Sequence, residues 1–303
     1  MPRVALRYNF GYRNHGWPVN IAAGRMPTPS PPVSTRQITH STGRFTRQTG
    51  GSQSLERGLM LLRAFRVGSS SLTNAELAAR TGLPRPTVSR LTRSLVDAGF
   101  LRYDTTERAY RLAAVMLSLA DAFRHASVVP EVALPLMRRI AEDKKVNVGL
   151  AVADQTAMVY LASVRHSGDS VSRTRRVVPG TRVPMEATAI GLAYLAALPA
   201  AVRADLVEEI TEKAGEPCPV LQKEVARGIA QAQALGYCTA NYQPGHLTAV
   251  GAAFQGPDHQ WYGLNISFPH KASEKRRDVE RYAPLLLGLI AEIRAACDKH
   301  GHA

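Results

Sequence analysis

The sequence predicts an α+β fold in two domains: a winged helix-turn-helix in front, and an antiparallel sheet flanked by helices behind. Three observations carry this expectation. Residues 53–113 hold three helical segments, followed by two short alternating segments around a polar turn. Residues 146–303 hold two pairs of alternating apolar segments, with helical stretches between and after them. The basic charge is concentrated at the front of the chain.

With 303 residues and 45% apolar composition, the chain is long enough for two domains with cores of their own. No apolar run approaches the roughly 18–20 residues of a membrane-spanning helix. Cys218, Cys238 and Cys297 are widely spaced and form no CxxC pair. That speaks against a disulfide framework or a zinc knuckle, and it fits a reducing, cytoplasmic setting. The formal net charge is +14. Residues 1–52 contribute +7, residues 53–113 contribute +5, and the remaining 190 residues only +2. Such asymmetry points to a polyanionic partner for the front of the chain, nucleic acid before a membrane surface. A solvated basic tail explains the charge alone equally well.

Residues 1–52 are rich in Gly, Pro, Ser, Thr and Arg and show no helical or strand period, the composition of a disordered tail. An Arg-rich, acid-free front also suits an organelle transit peptide, but no amphipathic helix accompanies it. Met26 is a natural alternative start. From residue 53, QSLERGLMLLRAFRVG places Leu55, Leu59, Leu62, Ala64 and Phe65 on a broad helical face. TNAE, from Thr73 to Glu76, is a capping box that opens a second helix, and Gly82 ends it. A third helix starts near Pro86, whose missing N–H costs nothing in a first turn, and stops at Gly99. FLRYDTTERAYRL then reads as a β-hairpin.

Helix, tight Gly-containing turn, helix and hairpin describe a winged helix-turn-helix. On the third helix Val88, Leu91 and Leu95 face the core, which leaves Thr87, Ser89, Arg90, Arg93 and Ser94 outward. Arg can donate two parallel hydrogen bonds to a guanine edge and also neutralises phosphate. Short hydroxyls near a helix N-terminus suit phosphate oxygens or base edges. Arg85, Thr87, Ser89, Arg90 and Arg93, together with Arg102 and Arg108 of the wing, are the expected contacts to double-stranded DNA.

Residues 114–145 read as a helical linker, divided by Pro130 and Pro135. Behind it, NVGLAVAD (147–154) and AMVYLASV (157–164) form one strand pair around Asp154 and Gln155. TAVGAAFQ (248–255) and WYGLNISF (261–268) form another around Gly256, Pro257 and Asp258. Helices are expected near 187–198, 200–213, 219–235 and 273–297.

This layout resembles the IclR family of bacterial transcription regulators over residues 53–297. The resemblance rests on SLERGLMLL (54–62), AELAARTGLPRPTVSRLTRSLVDAGFL (75–101) and AYRL (109–112). In the second domain it rests on PGTRVPMEATAIGLAYLAALP (179–199), LGY (235–237) and GLNISFP (263–269). It implies a GAF-like effector-binding domain over 146–303, a homodimer or dimer of dimers, a promoter operator and a small-molecule effector. By alignment it implies Met185, Ala189, Ile190, Ala249, Asn265 and Ser267 as effector-binding positions. The chain departs from the family pattern at Glu186, where His is usual, at Leu192, where Lys or Arg is usual, and at Ala249, where some members carry Cys. The acids common after the GY are also missing from CTANYQPGH (238–246). These departures surround the effector pocket, so the ligand does not carry over. Asn265 and Ser267 alternate on one strand and share a face. They either hydrogen-bond a ligand, such as an organic or aromatic acid, or satisfy backbone groups.

GxxxxGK, GxGxxG, GxSxG and HExxH motifs are absent. Cys297, His300 and His302 lie close together in CDKHGHA, but a solvated terminus explains them. The expectation is no cofactor, no metal and no catalytic residue. Two classes stand at this point: a one-component transcriptional regulator, or an enzyme or small-molecule-binding protein whose helix-turn-helix only docks a protein.

Overall fold

The structure, a computed structural model, describes residues 51–166, 177–213, 219–241, 247–269 and 275–300. The expected tail lies outside them up to Gly50. Ser52 caps α1 (Gln53–Arg63) by accepting the Leu55 N–H. α2 (Asn74–Thr81) begins at the expected capping box: Thr73 accepts the Glu76 N–H, and the Glu76 carboxylate accepts the Thr73 N–H at 2.8 Å. The Thr73 N–H first, and then the Thr73 hydroxyl, which donates to the same carboxylate at 2.8 Å, hold the Glu76 carboxyl below its usual range. Gly82, at φ 70°, closes the helix in the left-handed conformation that glycine adopts freely. α3 (Arg85–Asp97) carries Pro86 in its first turn. Val88 and Leu91 of α3 pack with Leu61, Leu72 and Leu77.

One expectation fails here. Leu55 and Leu59, assigned to the buried face of α1, are 62% and 49% exposed, while Gly58, Leu61 and Ala64 are buried. Apolar residues lie on two sides of α1, so periodicity alone does not say which side meets α2 and α3.

The wing follows as β1 (Leu101–Asp104) and β2 (Ala109–Leu112), paired antiparallel from Leu101↔Leu112 to Asp104↔Ala109. Leu72 adds a bridge to Tyr110, with N–H···O distances of 2.9 and 2.8 Å. The stretch 114–145 divides in two. α4 (Val115–His125) has no buried residue. α5 (Val129–Lys144) buries Val129, Val132, Ala133, Met137, Ile140 and Ala141 in the core of the second domain, so this half of the linker stretch packs as part of that domain.

That core lies on one side of a six-stranded antiparallel sheet of order β5-β4-β3-β8-β7-β6. β3 (Asn147–Asp154) and β4 (Ala157–Val164) form the first expected hairpin, and β7 (Leu247–Gln255) and β8 (Trp261–Pro269) the second. The hairpins join through β3 and β8, with Gly149 opposite Asn265. Two edge strands were not anticipated, β5 (Arg182–Pro184) and β6 (Cys238–Ala240); three residues are too few for a period to register. α6 (Ala189–Ala197), α7 (Ala200–Lys213), α8 (Pro219–Leu235) and α9 (Lys275–His300) complete the described elements.

Strand alternation sorts the side chains. Val148, Leu150, Val250, Phe254, Tyr262, Leu264, Ile266 and Phe268 face α5 and α9. The opposite face is made largely of small residues, Gly149, Ala151, Ala249, Gly251, Ala253 and Gly263, interrupted by Asn265 and Ser267. α6 packs on this face and α8 packs on α6.

Candidate DNA interface and effector site

Helix α3 is pinned on one side only. Val88 and Leu91 are buried and Leu95 is half-buried. Thr92, which sequence reasoning passed over, is fully buried; its hydroxyl donates to the carbonyls of Val88 (2.9 Å) and Ser89 (3.1 Å). Arg85, Ser89, Arg90 and Arg93 are exposed as expected, and Thr87 is half-buried. No side chain caps the first turn of α3, at whose start Arg85 stands.

Ion pairing sorts the arginines. Arg80 donates to the Ala64 carbonyl (3.0 Å) and the Ser69 hydroxyl (2.9 Å), locking α2 to the end of α1. Arg111 pairs with Asp104 (3.4 Å) and Glu107 (2.7 Å) inside the wing. The Glu107 N–H first, then that of Thr106 and the Arg111 charge, hold the Asp104 carboxyl below its usual range. Among the described residues, no ion pair engages Arg85, Arg90, Arg93, Arg102 or Arg108. All five are exposed, three on α3 and two on the wing, with Arg108 at φ 52° in the wing turn. Five unpaired guanidinium groups on one small domain present a surface suited to phosphates and base edges.

The second site is built on the small-residue face of the sheet. Asn265 is only 8% exposed and stands in register between two glycines, Gly149 on β3 and Gly251 on β7. The space above each glycine is used. A Cβ on Gly149 would lie 2.4 Å from the Tyr160 ring and 2.6 Å from Asn265 Oδ1. A Cβ on Gly251 would lie 2.4 Å from the Ala189 carbonyl group, where α6 begins. The Tyr160 hydroxyl donates to Asn265 Oδ1 at 3.3 Å, leaving the Asn265 amide N–H groups as donors. Ser267 is half-buried, with Asn147 and Ala249 as its register neighbours.

The structure therefore gathers Ala249, Asn265 and Ser267 and adds Gly149 and Tyr160. Only the alternation of β4 could have pointed to Tyr160. Met185 and Ile190 are packing residues: Ile190 sits over Gly263 against Met158, and the Met185 backbone fills the space a Cβ on Gly191 would need. Ala189 contributes its carbonyl, which accepts from Cys238 Sγ at 3.2 Å. Burial pushes the Cys238 thiol up to about 12. Leu192, one of the departures expected around the pocket, instead faces α8, where a Cβ on Gly228 would lie 2.6 Å from it. Glu186 is half-buried between β5 and α6. No group of three His, Cys, Asp or Glu placed to hold a metal ion occurs among the described residues. No helix among them is long and apolar enough to cross a membrane. Residues 242–246 and His302 lie outside the described residues.

Residues 54–105 match the family described as the IclR helix-turn-helix domain, and residues 122–293 that described as the bacterial transcriptional regulator IclR C-terminal. The chain belongs to the IclR family. As an IclR-family protein it is a DNA-binding transcriptional regulator, with the α+β architecture of that family. It is similar to the HTH-type transcriptional regulator TsaQ1/TsaQ2 of Comamonas testosteroni, 30% identical over 253 residues, which cover 82% of this chain and 89% of that protein. The crystal structure of an IclR family regulator from Brucella abortus superposes with a TM-score of 0.71 at 32% identity, covering 81% of this chain and 92% of that one. An IclR homolog from Microbacterium hydrocarbonoxydans, complexed with 4-hydroxybenzoate, shares the fold at 23% identity and a TM-score of 0.60, covering 82% of this chain and 100% of that one.

Proposed function

We propose that this IclR regulator binds its operator through Arg85, Thr87, Ser89, Arg90, Arg93, Arg102 and Arg108, and that a small organic or aromatic acid bound on the Asn265–Ser267 face modulates the binding. In this reading residues 53–113 are the DNA-binding domain and residues 146–303, with α5 packed into their core, the effector domain, and α4 joins the two. The observation that carries the effector is Asn265: a nearly buried amide, fixed by Tyr160, with glycines on both sides and hydrogen-bond donors to spare. Donors with no metal among them suit a carboxylate or phenolic oxygen. The 4-hydroxybenzoate complex of the Microbacterium homolog supports the same ligand class.

The regulator acts in the cytoplasm, without catalytic turnover, as a homodimer or dimer of dimers. Exposed Leu55, Leu59 and Met60 on α1, with Leu117, Leu119 and Phe123 on α4, supply apolar surface for such an assembly. Calorimetry of the full chain against a panel of aromatic and short-chain acids, 4-hydroxybenzoate included, tests the effector. A titration by one of them that also shifts affinity for promoter DNA supports the reading. Loss of both effects in Asn265→Ala/Ser267→Ala, with ligand-free DNA binding retained, places the ligand on this face. An unaltered response in the double variant moves the site elsewhere.

A further inference from the structure

Asp154 closes β3, and two segments distant in sequence converge on it. Arg63, the last residue of α1, donates from Nη2 to both carboxylate oxygens, at 2.7 and 2.6 Å. Arg182, the first residue of β5, donates to Asp154 Oδ2 and, through Nη2, to the Asp154 carbonyl at 3.0 Å. One carboxylate thus serves two guanidinium groups, one from the winged helix and one from the sheet domain. A second contact lies beside it. Val67, just beyond α1, reaches the turn before β5, where a Cβ on Gly180 would lie 3.9 Å from Val67 Cγ2. No helix or strand of the winged helix packs broadly on the sheet among the described residues. Among the described residues, α4, with no buried residue, and this cluster both link the two domains.

We infer that Asp154 is a positioning residue for operator recognition: it holds α1 through Arg63, and so sets how the recognition helix α3 is presented by the sheet domain. α1 and α3 share one hydrophobic core, through Leu61, Val88 and Leu91, so fixing the end of α1 fixes α3. All three charged side chains are partly exposed, at 42%, 32% and 26% for Arg63, Asp154 and Arg182. A lone exposed pair contributes little, but a carboxylate shared by two arginines orients both. The inference is independent of any effector.

Amide hydrogen exchange on the full-length chain tests it, followed on peptides spanning 60–67 and 177–184. Arg63→Ala should speed exchange at 177–184, in the other domain, and Asp154→Asn should speed it in both peptides. Arg63→Ala combined with Asp154→Asn should do no more than Asp154→Asn alone, because that substitution already removes the carboxylate that Arg63 recognises. Asp154→Glu, which keeps the charge, should restore protection. Raised salt should bring wild-type exchange at 177–184 toward that of Arg63→Ala, a response that apolar packing does not give. Wild-type exchange at 177–184 in a folded Arg63→Ala protein overturns the inference, as does a failure of Asp154→Glu to protect better than Asp154→Asn.

Discussion

Gly251 lies so close to Ala189 that a single added carbon would stand 2.4 Å from the Ala189 carbonyl. The contact is backbone against backbone, so no side chain can turn aside to relieve it. α6 sits on the sheet because β7 has no side chain at this point. Gly251→Ala should therefore destabilise the protein by about 1–3 kcal/mol, the cost of overpacking a filled interior. Gly288, on the exposed side of α9 with nothing within 4 Å, is the control. There Ala should stabilise by about 0.5–1 kcal/mol through helix propensity. Urea denaturation of both variants reads the difference; equal effects would remove the contact from the account of the fold.

Neighbouring residues on α3 should separate binding from folding. Arg90→Ala should cost about 1–3 kcal/mol of operator binding and leave the melting temperature unchanged, since its side chain is exposed and unpaired. Leu91→Ala should cost about 2–5 kcal/mol of stability, because it opens the small core shared with Leu61 and Leu77. Arg102→Ala and Arg108→Ala should each lower the salt dependence of DNA affinity by about one phosphate. Fluorescence anisotropy on a promoter duplex at several salt concentrations checks the three arginine variants, and thermal denaturation checks Leu91→Ala and the melting temperature of Arg90→Ala. Full affinity in Arg90→Ala would take this residue out of the interface.

What the sequence discloses follows the range of the interactions. The capping box at Thr73 and Glu76, the Gly82 stop and both long hairpins are legible because their causes lie within a few residues. The buried side of α1 is not, since what meets Leu61 arrives from α2 and α3. α5 reads as linker because its apolar face resembles that of any amphipathic helix until the sheet beneath it is known. At the effector site, Asn265 and Ser267 share a face by simple alternation. Tyr160 comes to Asn265 from 105 positions away in sequence. The use of Gly149 and Gly251 as space for a ring and a helix start depends on a packing that only the fold brings about.

Asp154 should mark the acid limb of stability. Burial works against its charge, but the hydrogen bonds and charges of Arg63 and Arg182 prevail and hold the carboxyl below its usual value. A carboxyl depressed in the folded state stabilises the fold above its unfolded pKa, and that stabilisation fades as pH falls through the folded value. Wild type should therefore exceed Asp154→Asn in stability at neutral pH, and the gap should close in acid. Denaturation curves for both proteins from pH 7 to pH 2 measure it. A gap that stays constant with pH would mean that the charge is not what Arg63 and Arg182 recognise.

The junction between α4 and α5 is held by a side chain of the sheet face that α5 covers. Tyr262, fully buried on β8, places its hydroxyl 2.7 Å from Ser127 Oγ, 2.6 Å from Asp258 Oδ2 and 3.2 Å from Gln260 Oε1. Ser127 lies between the two helices, and its Oγ also accepts the Val129 N–H at 3.2 Å, so the first turn of α5 is tied in. Burial, reinforced by Asp258, pushes the Tyr262 hydroxyl well above its usual pKa. Tyr262→Phe keeps the ring and its stack on Phe254, at 5.6 Å between centroids, and removes only the oxygen. The loss should be about 0.5–1.5 kcal/mol for a hydrogen bond, since Asp258 keeps the Gln260 N–H on its other oxygen. The local effect should exceed the global one. Arg124 is exposed in the last turn of α4, three residues before Ser127, so freeing Ser127 should let that turn fray. Limited trypsin digestion should then cut after Arg124 faster in Tyr262→Phe than in wild type, at temperatures where both are folded. If cutting speeds up at all sites alike, the hydroxyl supports the fold as a whole and has no particular hold on the junction.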